Sequence, residues 1–241
     1  MGMTSAWLLA AALTAAAAPP VELRSCPARA RLIELFSSEG CSSCPPADAW
    51  MSGLRGHPRL WRDFVPVAFQ VSYWDYLGWK DPLADVSYTG RQRAYSQAWG
   101  GDGVYTPGFV LDGSEWRRWR EGPPPPGEET GVLTARVAGG RVAARFASSA
   151  AGPLRLYVAR LGMGIVNDVA RGENGGRSLR HDFVARGLTT VPMRGKAGAW
   201  TAETALPTAA SPVGEGALAV WIVGPDGLPL QAVGGLLPGA N

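Results

Sequence analysis

The stretch Leu32-Ile33-Glu34-Leu35-Phe36-Ser37-Ser38-Glu39-Gly40-Cys41-Ser42-Ser43-Cys44-Pro45-Pro46 limits the possible folds of this chain more than any other. A short apolar strand runs into a turn that ends in glycine, two cysteines follow with two residues between them, and two prolines open the next element. Proline is tolerated in a first helical turn, where no N–H hydrogen bond is lost. Apolar residues then recur at helical spacing (Ala47, Trp50, Met51, Leu54) until Gly56 and Pro58. The cysteines therefore stand at a strand-to-helix junction, where unpaired N–H groups and a partial positive charge favour a thiolate. The arrangement predicts an exposed, acidified Cys41. Cys44, one turn on, is then near enough to close the ring and expel a mixed-disulfide partner. Asp48 also falls near the helix start, where it suits the dipole but opposes the thiolate if it comes too close.

Other chemistries fit a cysteine pair less well. A structural disulfide over so small a loop restricts the unfolded chain little. Zinc needs about four ligands, and the chain has 3 Cys and 2 His, with His57 near the pair but His181 far from it. No metal or cofactor is assigned on that basis. Soft thiolates hold Cu(I), and a non-enzymatic module binding Cu(I), with His181 as third ligand, or binding a protein partner, is the alternative to thiol exchange. His181 itself reads more readily as a hydrogen-bonded structural residue. Cys26 is left over, as a resolving thiol, a lipidation site or an idle one; an accessory or unpaired thiol is the favoured reading, since Leu23-Arg24-Ser25-Cys26 is a poor lipidation box.

Downstream, Phe64 to Val71 is a nearly continuous apolar run, as in a strand buried on both faces. Ser87 to Trp99 is helix-like and ends in Gly100-Gly101; Phe109-Val110-Leu111 is a third strand before an Asp112-Gly113 turn. Strand, helix, strand, helix, strand predicts an α/β sheet with a parallel crossover over residues 30–122. Tyr105-Thr106-Pro107 directly precedes the third strand. X-Pro bonds are those in which cis is accessible. Thioredoxin-like domains carry a cis proline in that place, facing the cysteines and offering backbone hydrogen bonds to a substrate. Pro123-Pro124-Pro125-Pro126-Gly127 is a stiff extended linker. Beyond it, over 128–237, short β-like runs alternate with Gly and Pro turns, in keeping with Gly 32 and Pro 20 in the whole chain. The expected fold is an α/β thioredoxin-like domain followed by an antiparallel β-rich, sandwich-like domain.

The amino-terminal run Trp7 to Ala18 is apolar and rich in small residues, too short to span a bilayer, and reads as the core and cleavage region of a signal peptide over 1–18, although no Lys or Arg precedes it. Export, to the periplasm or as a secreted protein, follows, into a compartment where a cysteine pair can be oxidised. No later run is long enough for a membrane span, so an integral membrane protein is not expected. A net charge of +3 without a basic stripe gives no reason to expect a nucleic-acid partner.

The segment from Glu34 to Asp48, with Gly40-Cys41-Ser42-Ser43-Cys44-Pro45-Pro46-Ala47-Asp48 at its centre, closely resembles the signature of an exported bacterial family, a domain of unknown function numbered twelve-twenty-three. Val71 to Pro82 resembles the family's aromatic loop, and Arg91-Gln92-Arg93-Ala94-Tyr95 and Val104-Tyr105-Thr106-Pro107 its next helix and proline turn. Gly172-Glu173-Asn174-Gly175-Gly176-Arg177-Ser178-Leu179-Arg180-His181-Asp182-Phe183-Val184 is similar to a motif of its carboxy-terminal half. The resemblance implies a thioredoxin-like fold and export and leaves the reaction open. Two departures stand out. Gly108 follows Pro107 where the family has Gln, and Ser114 to Arg120 runs straight into the proline stretch where a closing helix belongs.

These residues point to an exported thiol–disulfide oxidoreductase, with Cys41 attacking and Cys44 resolving, acting on protein or small-molecule thiols and disulfides and meeting a redox partner protein. Thr106, Pro107, Tyr73, Trp74 and Trp79 would shape the substrate groove, and Asp48, Asp75 and Asp81 would support the thiols, the last two as proton relays. The aromatic loop reads equally well as an insertion packed over the sheet. The Gly172–Arg177 loop lacks the ending of a phosphate loop and reads as a strand connection.

Overall fold

The computed structural model describes residues 19–196, 198–209 and 215–238. Residues 1–18, read as a signal peptide, lie outside the described residues. In chain order the first half contains β1 (Val21–Arg24), β2 (Arg31–Ser37), α1 (Pro45–Gly53), β3 (Phe64–Gln70), α2 (Val86–Ala98), β4 (Gly108–Leu111) and β5 (Ser114–Glu115). The second half contains β6 (Val132–Ala138), β7 (Arg141–Ala147), β8 (Arg155–Met163), β9 (Ile165–Asp168), β10 (Ser178–His181), β11 (Val184–Pro192), β12 (Arg194–Lys196), β13 (Ala199–Ala205), β14 (Glu215–Val223) and β15 (Pro229–Leu237). Each helix starts as its sequence dictates. Pro45 and Pro46 fill the first turn of α1. The Asp85 side chain caps α2 by accepting from the Ser87 N–H.

One sheet runs through both halves, in the order β15-β14-β8-β11-β3-β2-β4-β5. Only β2–β3 and β3–β11 pair parallel; every other neighbour in it is antiparallel. A second sheet, β1-β6-β7-β13-β12, is antiparallel throughout, and β9 and β10 form a separate pair. The strand period of two lets single strands serve two cores. On β14, Ala217, Ala219 and Trp221 face the core shared with Leu35, Phe36 and Phe69, whereas Leu218, Val220 and Ile222 face the one shared with Leu133, Val142 and Phe146 on the five-stranded sheet.

This arrangement corrects the expected fold class. The described residues are 45% strand and 14% helix, with two α-helices, and they form large mixed and antiparallel sheets in place of an α/β thioredoxin-like arrangement followed by a separate sandwich. The physical reason is the edge of β3. Strands β2 and β3 expose no free ladder on that side, because β11 pairs with β3 at Val184 and Ala68 and brings β8, β14 and β15 with it. The Ser114–Arg120 segment forms β5 and the start of a 3₁₀ turn at Trp119–Glu121, not an α-helix.

A buried ion pair fastens α2 across this sheet. Glu34, fully buried on β2, accepts from Arg91 Nε at 2.6 Å and from the Tyr95 hydroxyl at 2.5 Å. The Arg91 guanidinium also lies 5.1 to 5.5 Å from the ring centroids of Phe69, Tyr95, Tyr157 and Trp221, and so joins both halves of the chain. Removing one member strands a buried charge. Glu34→Ala is therefore expected to lower stability by about 3–5 kcal/mol, read as a shift of the urea unfolding midpoint with an unchanged slope.

Candidate dithiol site

The strand-to-helix junction is built from short backbone bonds. The Cys41 N–H donates to the Ser38 carbonyl at 3.1 Å and the Cys44 N–H to the Cys41 carbonyl at 3.2 Å. The Cys44 carbonyl then takes the Ala47 and Asp48 N–H groups at 2.8 and 3.1 Å to start α1. Gly40 is required here, since an added Cβ would lie 2.8 Å from the Trp74 Cβ.

Both thiols are unbridged. Cys41 Sγ lies 3.2 Å from Ser43 Oγ and 3.8 Å from the Thr106 carbonyl, and the Thr106–Pro107 peptide bond beside it is cis. Trp74 Nε1 donates to Thr106 Oγ1 at 2.8 Å, and the Tyr73 hydroxyl donates to Gln92 Oε1 at 3.3 Å. Gln92 in turn donates to the Tyr105 carbonyl at 2.6 Å. Gly108 leaves room for that bond, because a Cβ there would lie 3.1 Å from Gln92 Nε2 and 3.0 Å from the Tyr105 carbonyl. Tyr73, Trp74, Thr106 and Pro107 are thus assembled beside the cysteines. The Tyr73 hydroxyl is pushed up to about 12, chiefly by burial and further by the charge of the two cysteines.

The two sulfurs are unlike. The hydrogen bond from Cys44 draws the Cys41 thiol down to about 6, against burial and with help from Ser43 and Thr106. Burial pushes Cys44 up, and the neighbouring Cys41 adds to it. The expectation of an exposed Cys41 is corrected: the residue is 1% exposed and Cys44 0%, while the intervening Ser42 and Ser43 are exposed. The helix start is inside a polar surround, and the serines, not the sulfur, form the outer surface.

Behind the pair lies a buried polar network. Glu39 accepts from Trp79 Nε1 at 2.8 Å and from Asn167 Nδ2 at 2.7 Å, and it meets His181 Nε2 at 3.1 Å. The other ring nitrogen of His181 is 3.6 Å from Asp48, which accepts from the Ser37 hydroxyl at 2.8 Å. Burial opposes charge on His181, but Asp48 and Glu39 outweigh it and hold the imidazole protonated up to about 10. Burial likewise works against Glu39, and hydrogen bonds from His181, Asn167 and Trp79 keep its carboxyl below the ordinary value. Asp81 accepts from the Glu39 and Leu83 N–H groups at 2.9 and 2.8 Å, and its own N–H donates to Asp75 at 3.3 Å. Burial, and then the Glu39 charge, push Asp81 up to about 7.

Trp79, Asp75 and Asp81 are therefore tied to Glu39 or to one another, while Tyr73 and Trp74 reach the proline turn. Two residues to which the sequence assigns no role complete the site. Asn174, fully buried, donates to the carbonyls of Glu39 and Cys41, both at 2.9 Å. Glu173 accepts from the Ser42 N–H at 2.8 Å. Both belong to the Gly172–Arg177 loop, whose motif was the available signal. His181, the candidate third copper ligand, faces Glu39 and Asp48, and among the described residues no group of three or more His, Cys, Asp and Glu side chains is arranged to hold a metal ion. His57 packs its ring on Phe64, and Cys26 is exposed near Arg62.

Fold and site together define a β-rich dithiol protein whose cysteine turn is held by its carboxy-terminal half. The chain belongs to the family described as Protein of unknown function (DUF1223), whose model matches residues 32–223. It is similar to the crystal structure of protein AGR_C_4864 from Agrobacterium tumefaciens, with 26% identity and a TM-score of 0.61, over 87% of this chain and 94% of that one. HBP35 of Porphyromonas gingivalis shares the fold alone, with a TM-score of 0.62 at 12% identity over 89% of this chain and 77% of that one. No curated protein matches the chain.

Two measurements test the network. Because folding raises the His181 pKa from 6.5 to about 10, the folded chain binds more protons than the unfolded one in that window, and its contribution to stability, complete below pH 6.5, is lost as pH rises toward 10. Cys41, drawn from 9.0 down to about 6, adds stability over part of the same range in both proteins, so the test is the difference between the parent and His181→Gln, which thermal melts should show shrinking as pH rises from 6.5 toward 10. Asn174→Ala, which leaves the buried Glu39 carbonyl unpaired and removes one of the two donors to the Cys41 carbonyl, is expected to cost about 1–3 kcal/mol by chemical denaturation.

Proposed function

We propose that the chain is an exported thiol–disulfide oxidoreductase acting through Cys41 and Cys44. The observation that carries this reading is the division of labour between the sulfurs. Cys41 is acidified to about 6 next to the Thr106 carbonyl, and Cys44 is kept protonated beneath it. A thiolate is the nucleophile in disulfide exchange.

In the reducing direction the Cys41 thiolate attacks one sulfur of a substrate disulfide. A new S–S bond forms, the old one breaks, and the departing thiolate takes a proton from solvent. Cys44 then loses its proton and attacks Cys41 Sγ. The mixed disulfide breaks, the second substrate thiol leaves, and the Cys41–Cys44 disulfide remains, so two electrons have passed to the substrate. The same steps reversed oxidise a dithiol. Substrates are protein or small-molecule thiols and disulfides, and a partner redox protein resets the pair. Access requires the partner to part the cover around Cys41, and Ser42, Ser43 and Thr106 lie where it would enter. Tyr73, Trp74 and Pro107 form the adjoining wall. Asp48 reaches the pair through the charge it places near Cys44. The apolar leader of residues 7–18 supports placement in the periplasm or outside the cell.

Labelling of the reduced protein with iodoacetamide should titrate Cys41 with a midpoint near pH 6. Cys44→Ser should accumulate a mixed disulfide with a small disulfide probe, and Cys41→Ser should reduce insulin at the background rate. Full reductase activity in Cys41→Ser would rule the reading out.

A further inference from the structure

The outer face of the five-stranded sheet carries one continuous row of residues in register. Arg24 lies opposite Thr134, Thr134 opposite Arg145, Arg145 opposite Thr201, and Thr201 opposite Arg194. Directly opposed residues share a face, and the chain neighbours Leu23, Leu133, Phe146 and Trp200 are buried on the other. Arginines thus stand on β1, β7 and β12, every second strand, with threonines between them. All five side chains line an open groove of about 930 Å³, walled by Val191 and Pro192.

The acids of the neighbouring row are turned to other partners. Glu22 faces Arg136 at 3.8 Å, and Glu203 pairs with Arg141. Among the described residues, Arg24, Arg145 and Arg194 stand in no ion pair, so the floor of the groove presents three uncompensated guanidinium groups in line. Strands lie about 4.8 Å apart, which sets the arginines roughly 9.6 Å from one another. A polyproline II segment repeats every three residues with a rise of about 3.1 Å each, and so returns to the same side every ~9.3 Å.

We infer that this groove docks an extended acidic polypeptide segment that crosses the strands with a carboxylate at every third residue, one for each of Arg24, Arg145 and Arg194. Guanidinium groups bind carboxylates through paired hydrogen bonds, and a preformed polyproline II segment loses little entropy on docking. The lining disfavours a nucleic acid, because it contains no aromatic side chain on which a base could stack. A polymer with a charge on every unit would set its surplus charges over Thr134 and Thr201, which carry none, so the row favours one charged only at intervals.

Fluorescence anisotropy of labelled ligands with the full chain tests this. The probes are a peptide of about four glutamate-proline-proline repeats, an isomer with its glutamates contiguous, a heparin fragment and a single-stranded DNA oligomer. The spaced peptide should bind most tightly and weaken as salt is raised. Arg145→Glu should bind it about tenfold less well or worse, with its unfolding transition and the pH midpoint of Cys41 labelling unchanged. Arg118→Glu, on an exposed loop outside the groove, should bind as the parent does. Should Arg145→Glu fail to fold, the edge-strand double variant Arg24→Gln, Arg194→Gln gives the same readout. Binding of the contiguous isomer, the DNA or the heparin fragment as tight as that of the spaced peptide overturns the proposal, as does undiminished binding by the groove variants.

Discussion

A single buried carboxylate holds the site together. Glu39 is fully buried, and a charge in that position is costly unless several donors satisfy it. Its donors come from separate stretches of chain: Trp79 from the aromatic loop, Asn167 from β9 and His181 from β10. Its own backbone is used as well, the N–H by Asp81 and the carbonyl by Asn174. Cys41 follows two residues later, and the same Asn174 amide grips its carbonyl. The position of the first sulfur is therefore fixed by residues more than a hundred positions downstream, through hydrogen bonds in a region where water does not compete.

Charge balance follows from the same network. Carboxylates close to a thiol oppose its ionisation, and Glu39, Asp48 and Asp81 all lie behind the pair. His181 stands between Glu39 and Asp48 and carries a positive charge over the physiological range, while burial and Glu39 leave Asp81 half-neutral near pH 7. The negative charge facing the sulfurs is much smaller than the count of acids suggests. Cys41 is then governed by its nearest donors, the Cys44 thiol first, with Ser43 and Thr106 in support.

What the sequence revealed and what it hid divide along the range of the interactions. The strands at 31–37 and 64–70 and both helices follow from local pattern, namely runs of apolar residues, Pro45 and Pro46 at a helix start, and Gly100-Gly101 after a helix end. In the structure the nearness of Thr106 and Pro107 to Cys41 arises because β4 runs antiparallel to β2 and sets Gly108 opposite Phe36; it was legible through the cis proline that thioredoxin-like domains carry before such a strand. The pairing of Val184 with Ala68 was not, since a parallel bond between distant strands leaves no periodic trace in either. That one pairing turned an expected two-domain chain into a single through-running sheet. Glu39 stands within the cysteine segment, yet nothing local marks it as a hub, because in sequence a buried acid looks like a solvated one until its donors are known. For the same reason Trp79 reads from sequence as a wall of the substrate groove and Asp81 as a proton relay, while their hydrogen bonds run to the Glu39 side chain and the Glu39 N–H. Strand β1, four residues beside an apolar leader, was too short to show its alternation.

The proline run shows how fully the two halves are joined. A stretch such as Pro123 to Pro126 spaces domains apart when nothing holds it. Here the Arg59 guanidinium donates to the carbonyls of Pro123 and Pro124 at 2.9 and 3.4 Å, the Gly127 N–H donates to the Arg29 carbonyl at 2.8 Å, and the Arg29 N–H donates to the Glu128 carbonyl at 2.9 Å. Residues without N–H groups cannot form a ladder of their own, so their carbonyls are satisfied by a side chain from the loop that precedes β3. The stiff segment is docked along the first half and feeds β6 into the sheet that already contains β1. An amino-terminal strand in the second sheet and carboxy-terminal strands in the first cross-link the halves in both directions. The dithiol turn and the arginine groove are accordingly carried on one frame, and a partner held by the groove would meet the cysteines at a separation set by that frame and not by a linker.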